Sequence, residues 1–505
     1  MAKCGTQNTY VLIMNTPDLR GAPDLRGAHA PAADRPEADT ARSSAASIGA
    51  RLDRLPATRT VWWLVAAIAM GGWFEFYDLF FTAYVGPGLV KSGIYSTTTA
   101  SFFGFSGLGA FVAASFAGLF IGTLVFSPLA DRMGRRSIFT FSLLWYSIAT
   151  VIMACQSSAS AINAWRVIAG IGIGVELVTI DAYTSELVPK HLRGRAFALL
   201  HAVTFAAVPA AAFFAWWLVP NKPFGVDGWR WVVWIGALGA VLVWVIRRRV
   251  PESPRWLAQQ GRFDEAERAM SALEHRVAAE YGRPLPAPEV RPAPATSSAS
   301  SAASNSDNGV WSSAYRGRTI MMMVFNAFQS IGYYGFAAWV PTLLIHKGIT
   351  ITQSLLYSFV IAISNPIGPI LAIRVADKIE RKTMIMLSAL GILVFGLLFA
   401  TQTSPAALMV LGVLITTSSA LLSVGYHAYQ AELFPTRIRA RAVGLVYSVS
   451  RVSAMFSGFM IAFALRQFGV HGVFGLIGVS MVIVIGSVGL FGPRTNGRDL
   501  DDVSA

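Results

Sequence analysis

The sequence predicts an all-α membrane protein of about twelve transmembrane helices, arranged as two six-helix repeats. Three observations predict it. The 505 residues are 54% hydrophobic and only 13% charged, with mean hydropathy +0.52, too little charge to cover a soluble surface of that size. The apolar runs extend for about twenty residues without the alternation of barrel strands, which leaves helices to satisfy the backbone in lipid. Two unrelated motifs also recur at one common spacing.

The elements follow in order. Residues 1–55 are rich in Ala, Pro, Arg and Asp, with Pro-Asp-Leu-Arg-Gly-Ala at 17–22 and again at 23–28, and predict a disordered cytoplasmic tail. The run from Tyr10 to Met14 is too short for a signal-peptide core, so no cleavable leader is expected. A first six-helix half, 56–250, holds apolar runs near 60–87, 104–129, 137–156, 162–186, 195–219 and 230–247. Residues 251–316 read as a cytoplasmic linker. Within it, Phe263, Ala266, Met270, Leu273 and Val277 mark an amphipathic helix, and 284–309 are rich in Pro, Ala and Ser. A second half, 317–493, repeats the pattern near 319–344, 354–375, 383–402, 406–431, 441–465 and 472–491, before a short tail, 494–505. The two cysteines, Cys4 and Cys155, lie in a polar tail and an apolar helix, so no structural disulfide is expected.

Basic residues set the orientation. The net charge of +14 is not a nucleic-acid footprint, because the Lys and Arg residues gather in short loops between apolar runs. Arg132, Arg135 and Arg136; Lys190, Arg193 and Arg195; Lys378, Arg381 and Lys382; and Arg437, Arg439 and Arg441 fall in alternate loops. Both termini are therefore expected on the cytoplasmic side, in a multi-pass protein of the inner (plasma) membrane.

The repeat is explicit. Leu129-Ala130-Asp131-Arg132-Met133-Gly134-Arg135-Arg136 returns as Val375-Ala376-Asp377-Lys378-Ile379-Glu380-Arg381-Lys382, so Asp131 and Asp377 are 246 positions apart. Ala182-Tyr183-Thr184-Ser185-Glu186 returns as Ala428-Tyr429-Gln430-Ala431-Glu432 at the same 246, and Arg193 to Arg439 repeats it. Duplicated halves in one orientation place a solute site at their interface near the middle of the membrane.

These motifs resemble a known family. Asp131-Arg132-x-Gly134-Arg135-Arg136 is similar to the loop signature of the major facilitator transporters. Arg166-x-x-x-Gly170-x-Gly172-x-Gly174, Glu186-x-x-Pro189-x-x-x-Arg193-Gly194 and Pro251-Glu252-Ser253-Pro254-Arg255 resemble its sugar-porter branch. The resemblance spans about 60–492. It departs at Ser127, where the signature begins with glycine, and at Glu380, which replaces the second copy's internal glycine. Helix 7 reads Tyr334-Gly335 followed by Trp339-Val340-Pro341, and Phe76-Tyr77-Asp78 lies in helix 1. Both look more like the metabolite:proton symporters for aromatic acids and nicotinate, whereas sugar porters carry glutamines in helices 5 and 7.

Intramembrane charge points the same way, since each ionisable group in hydrocarbon is expensive and hence a functional candidate. Glu75 and Asp78 lie at i, i+3 in helix 1; Arg166, Glu176 and Asp181 in helix 4; His201 in helix 5; His427 in helix 10; Arg451 in helix 11. Asp78, paired with Arg166 while ionised and with Glu75 nearby, is the expected proton carrier. Arg451 is the expected carboxylate fork. Tyr77, Glu176, His201, Asn326, Gln329, Tyr333, Tyr334 and His427 are the other expected solute contacts. Asp131, Arg132, Arg135, Arg136, Glu186, Arg193, Asp377, Lys378, Glu432 and Arg439 are expected to form gating ion pairs that bridge the halves when the outside is open.

The expected function is secondary active uptake of a small organic acid with protons, by a monomer in the bilayer, without nucleic acid. A sugar or polyol:proton symporter, a proton-driven exporter and a membrane sensor on a transporter scaffold are the alternatives. No metal-ligand spacing, cofactor motif or nucleophile elbow is present, so no enzymatic activity is expected. Gly170-Ile-Gly-Ile-Gly174 lacks the strand and the Lys-Ser/Thr of a nucleotide loop, and small residues permitting close helix contact explain it.

Overall fold

The computed structural model of the protein describes residues 47–95, 100–101, 105–247, 250–288, 309–313, 315–376, 379–434 and 436–495. Most of the 1–55 tail, most of the Ser/Ala/Pro stretch and most of the 494–505 tail lie outside them. The described regular structure is helical apart from a two-residue antiparallel pairing of Ala100–Ser101 with Phe105–Ser106.

The first half comprises α1 (Arg59–Lys91), α2 (Leu108–Met133), α3 (Arg135–Ala154), α4 (Ala159–Leu187), α5 (Arg193–Phe205 and Ala207–Leu218) and α6 (Gly228–Arg247). The second comprises α7 (Arg316–Ala337), α8 (Ile351–Ala362 and Ser364–Ala376), α9 (Arg381–Thr401), α10 (Pro405–Glu432), α11 (436–468) and α12 (470–491). The last two form one 56-residue run broken only at Gly469, whose φ of 63° and ψ of −158° suit glycine alone. The breaks in α5 and α8 have a shared cause. Pro209 and Pro366 lack the N–H that would bond to the carbonyl four residues earlier, at Phe205 and Ala362.

Close packing inside the first half rests on the glycine run. A Cβ on Gly170 would stand 2.6 Å from the Ser115 carbonyl oxygen, and one on Gly174 would stand 2.3 Å from that of Leu119. Gly118 and Gly122 on α2 are equally tight against Val167 and Ile171 of α4. Backbone therefore meets backbone between α2 and α4, as the small-residue explanation of this run requires.

The last turns of the expected N-terminal tail are ordered. Residues 47–53 are helical, and Ile48, Leu52 and Leu55 are buried in a cluster with Met270, Leu273 and Val277 of the linker helix Phe263–Tyr281. Arg51 donates to Glu267 at 2.5 Å and to Glu274 at 2.6 Å, and Arg54 donates to Glu274 at 2.6 Å. The apolar i, i+4, i+7 stripe that drives this docking is only three residues long, which is why composition hid it.

Candidate functional site

A cavity of about 160 Å³ lies between the halves, walled by α1, α4 and α5 on one side and by α7, α10 and α11 on the other. These two triplets are equivalent under the repeat. The exposed members of its lining, Asp181, His201 and His427, sit one to two turns from the α4–α5 and α10–α11 loops, so it opens toward those basic loops. At the far end the halves touch. A Cβ on Gly109 of α2 would be 3.1 Å from the Gly458 carbonyl oxygen of α11, and Trp216 of α5 stacks on Phe359 of α8 at 6.3 Å. Between these levels Phe116 of α2 packs edge-on against Tyr334 of α7 at 4.5 Å.

Of the expected solute contacts, His201, Gln329, Tyr333, Tyr334, His427 and Arg451 line this cavity, and so does Glu75. Arg451 is buried to 5% exposure. Its Nη2 donates to the Tyr447 hydroxyl at 2.7 Å, and its Nη1 lies 3.4 Å from that of Tyr334. Its Nε has no hydrogen-bond partner, and no carboxylate lies within ion-pair distance among the described residues. Each histidine is bonded back to its own helix, His201 Nδ1 to the Phe197 carbonyl at 2.8 Å and His427 Nδ1 to that of Ser423 at 2.7 Å. A carbonyl only accepts, so Nδ1 carries the proton and Nε2 is the atom left for a solute.

Tyr77, Glu176 and Asn326 do not line the cavity. Tyr77 lies two residues beyond Glu75, about 200° round the helix. Its ring packs on α6 at Gly236 and its hydroxyl donates to the Val232 carbonyl at 3.0 Å. Glu176 is fully buried within the first half. Asn326 is fully buried too, with Nδ2 donating to the Met322 carbonyl of its own helix at 2.8 Å.

Asp78 and Arg166 meet, but behind the cavity wall. Three residues advance a helix by about 300°, so Asp78 points about 60° away from Glu75 and into the packing of α1 against α2, α3 and α4. Arg166 Nη1 donates to Asp78 Oδ2 at 2.7 Å and Nη2 to the Asp78 carbonyl at 2.8 Å. Nη2 also donates to the Thr82 hydroxyl at 2.7 Å, and Nε to the Ser115 hydroxyl at 2.7 Å. Thr150 donates to Asp78 Oδ1 at 3.1 Å, and the guanidinium lies 4.8 Å from the Phe81 ring centre. Arg166 is 0% and Asp78 3% exposed, so the pair is dry and saturated.

The side chains of Asp131, Arg132 and Arg439, and all of Asp377 and Lys378, lie outside the described residues. Among the described residues, four of the remaining gating candidates and their neighbours form ion pairs within their own half. Arg135 reaches Glu186 at 3.2 Å, and Arg381 reaches Glu432 at 3.6 Å. Each pair is the other displaced by 246 positions. Arg193 Nε instead reaches the Val188 carbonyl at 3.4 Å.

The departure at Glu380 has a structural counterpart. In the first copy Gly134, at φ 92°, leaves space for Glu252, whose Oε2 would stand 2.8 Å from a Cβ there. Glu252 accepts from the Arg136 amide at 3.1 Å, and burial pushes its carboxyl above the usual range against the pull of those amides. In the second copy Glu380 caps α9 itself, accepting from the Thr383 amide at 3.0 Å. Both solutions set a carboxylate at a helix N-terminus.

Sequence reasoning named Asp181 only as an intramembrane charge without a specific role and did not single out Tyr447 or Tyr426, all on the cavity wall. The repeat carried the signal for Asp181, which stands 246 positions before His427. Helical spacing carried it for Tyr447, one turn before Arg451.

Comparison with known proteins agrees with this architecture. The family described as "Sugar (and other) transporter" matches residues 64–505. YyaJ of Bacillus subtilis (strain 168), a protein named for metabolite transport, is 28% identical over 455 residues, covering 89% of this chain and 96% of the relative. The niacin transporter NiaP of Acinetobacter baylyi (strain ATCC 33305 / BD413 / ADP1) is 26% identical over 454 residues, covering 90% of this chain and 98% of its own. The crystal structure of a D-xylose-proton symporter superposes with a TM-score of 0.67 at 20% identity, over 87% of this chain and 99% of that one, which establishes the shared fold. The chain therefore belongs to the sugar (and other) transporter family of the major facilitator superfamily and is a multi-pass membrane transporter, not an enzyme.

Proposed function

We propose that this transporter takes up a small organic carboxylate together with a proton by alternating access, at the inner membrane, with both chain ends on the cytoplasmic side. One observation carries the reading. Arg451 is a buried guanidinium on the cavity wall with an unused Nε and no carboxylate partner among the described residues. A buried charge left in that state is expensive, and an anionic solute arriving in the cavity supplies the missing partner. The name of one relative, a niacin transporter, is that of a carrier of a pyridine carboxylate.

Asp78 is the proposed proton carrier. Its ion pair with Arg166 joins α1 to α4, and α1 also presents Glu75 to the cavity. Protonation of Asp78 releases Arg166 and loosens that joint. Movement of α1 is thereby tied to proton uptake, with Glu75 beside the solute. In proteoliposomes, Asp78→Asn should abolish accumulation driven by a proton gradient while leaving counterflow exchange. Unchanged uphill uptake by that variant overturns the role of Asp78.

A sugar or polyol solute is the second reading, favoured by Gln329 and by Ser330, Ser419, Ser423 and Ser450 on the wall. A panel of aromatic acids, dicarboxylates and hexoses, read by thermal shift on the purified protein, separates the two.

A further inference from the structure

The charges on the cavity wall are segregated by half. Glu75 and Asp181 line it from α1 and α4, Asp181 is exposed to it, and among the described residues the first half adds no Lys or Arg to the lining, His201 of α5 being its basic side chain there. Arg451 lines it from α11, and among the described residues no acidic side chain from the second half does so. The repeat sharpens this contrast, because Asp181 and His427 occupy equivalent positions 246 residues apart. Duplication placed the same site on both walls, and divergence made one an acid and the other a base.

We propose that the solute is zwitterionic: a small ring compound whose carboxylate is held by Arg451, Tyr447 and Tyr334 and whose cationic nitrogen faces Asp181. This rests on the carboxylate reading above and narrows it. A plain anion that reaches Arg451 also faces the carboxylates opposite, in a confined cavity where charges are poorly screened. A plain cation meets the reverse problem at Arg451. A dipolar solute satisfies both walls at once. It also gives the buried Nε of Arg451 an acceptor, at the charge-assisted strength of an Arg–carboxylate bond.

The apolar lining suits a cationic ring. Phe76 and Phe205 meet edge-on at 5.1 Å across α1 and α5, with Phe80 and Tyr333 on the same cavity. Aromatic faces of this kind attract a delocalised cation. A solute bound simultaneously to the α1/α4 wall and the α11 wall ties the halves together, so binding energy is available to close the open mouth.

Three probes test the assignment on the full-length protein in nanodiscs by calorimetry: benzoate, N-methylpyridinium, and N-methylpyridinium-3-carboxylate. The zwitterion should bind at least about tenfold more tightly than either half-molecule, equal to about 1.4 kcal/mol. Asp181→Asn should weaken the zwitterion about tenfold and tighten benzoate, because the repelling charge is gone. Asp181→Glu should restore the wild-type order. Benzoate binding wild type as tightly as the zwitterion overturns the proposal while leaving the carboxylate reading intact. So does an Asp181→Asn variant that weakens both probes equally. Binding of a hexose with no binding of either carboxylate probe overturns both readings.

Discussion

Among the described residues two arginines are buried between the spanning helices, and their surroundings differ in kind. Arg166 spends its guanidinium on Asp78, Thr82 and Ser115, and the Phe81 ring lies close by. Arg451 has two tyrosine hydroxyls, an idle Nε and a cavity in front of it. The first is satisfied by protein and can change state only if a proton neutralises its partner. The second is incomplete until something enters. A transporter that couples a proton to an anion needs one site of each kind.

The sharpest way to break the comparison is to remove one partner from each site. Asp78→Ala leaves Arg166 charged, dry and unpaired, and should destabilise the protein by about 3–5 kcal/mol, read as a lowered Tm in detergent. Arg451→Gln should barely move that Tm. Its effect should appear in solute binding, weakened by about 2 kcal/mol or more, roughly thirtyfold. If the two variants exchanged these phenotypes, the division of labour between the arginines would be wrong.

The scaffold holding Arg166 in place gives a smaller effect. Gly174→Ala would press a Cβ against the Leu119 carbonyl oxygen, 2.3 Å away in the present backbone. Separating α2 from α4 should cost about 1–3 kcal/mol and loosen the Ser115 bond to Arg166. Thermal unfolding of this variant should be more sensitive to Asp78→Asn than that of the wild type.

Arg51 supplies the lower end of the scale, being an arginine paired near the surface. Its bonds hold the Glu267 carboxyl below the usual range. Burial works to raise Glu274, but the bonds from Arg51 and Arg54 outweigh it and leave that carboxyl lowered as well. A lowered folded-state pKa means that the stabilisation is present above the unfolded value of about 4.5 and is lost as pH falls below it. Partial exposure keeps the contribution to about 0.3–1 kcal/mol. Hydrogen exchange of residues 47–55 should therefore lose protection progressively as the pH falls below about 4.5, and Arg51→Ala should remove that dependence. Protection that is unchanged across this range would mean that apolar burial of Ile48, Leu52 and Leu55 alone holds the segment.

Much of this was legible in the sequence, for reasons that differ by residue. The 246-residue offset carried the duplication, and it reappears as the matched pairs Arg135–Glu186 and Arg381–Glu432. Asp78 and Arg166 were legible as partners because opposite charges in neighbouring apolar helices have few other ways to be tolerated. The direction of each side chain was harder to read. A helix packed on several sides in a membrane lacks the polar face that marks orientation in a soluble protein, so Tyr77, Glu176 and Asn326 looked as available to the cavity as Gln329 and Tyr333. The gate was legible in composition but not in connection. Which charges pair depends on the conformation, and composition alone does not say that Arg135 meets Glu186 or that Arg381 meets Glu432.

The central claim is that Arg451 awaits a carboxylate, and it is tested most directly by thermal shift of wild type and Arg451→Gln against aromatic carboxylates and hexoses. The account predicts that one or more carboxylates raise the wild-type Tm and leave that of Arg451→Gln unmoved, with hexoses inert on both. Equal stabilisation of both proteins by the same acid, or stabilisation by hexoses alone, would contradict it.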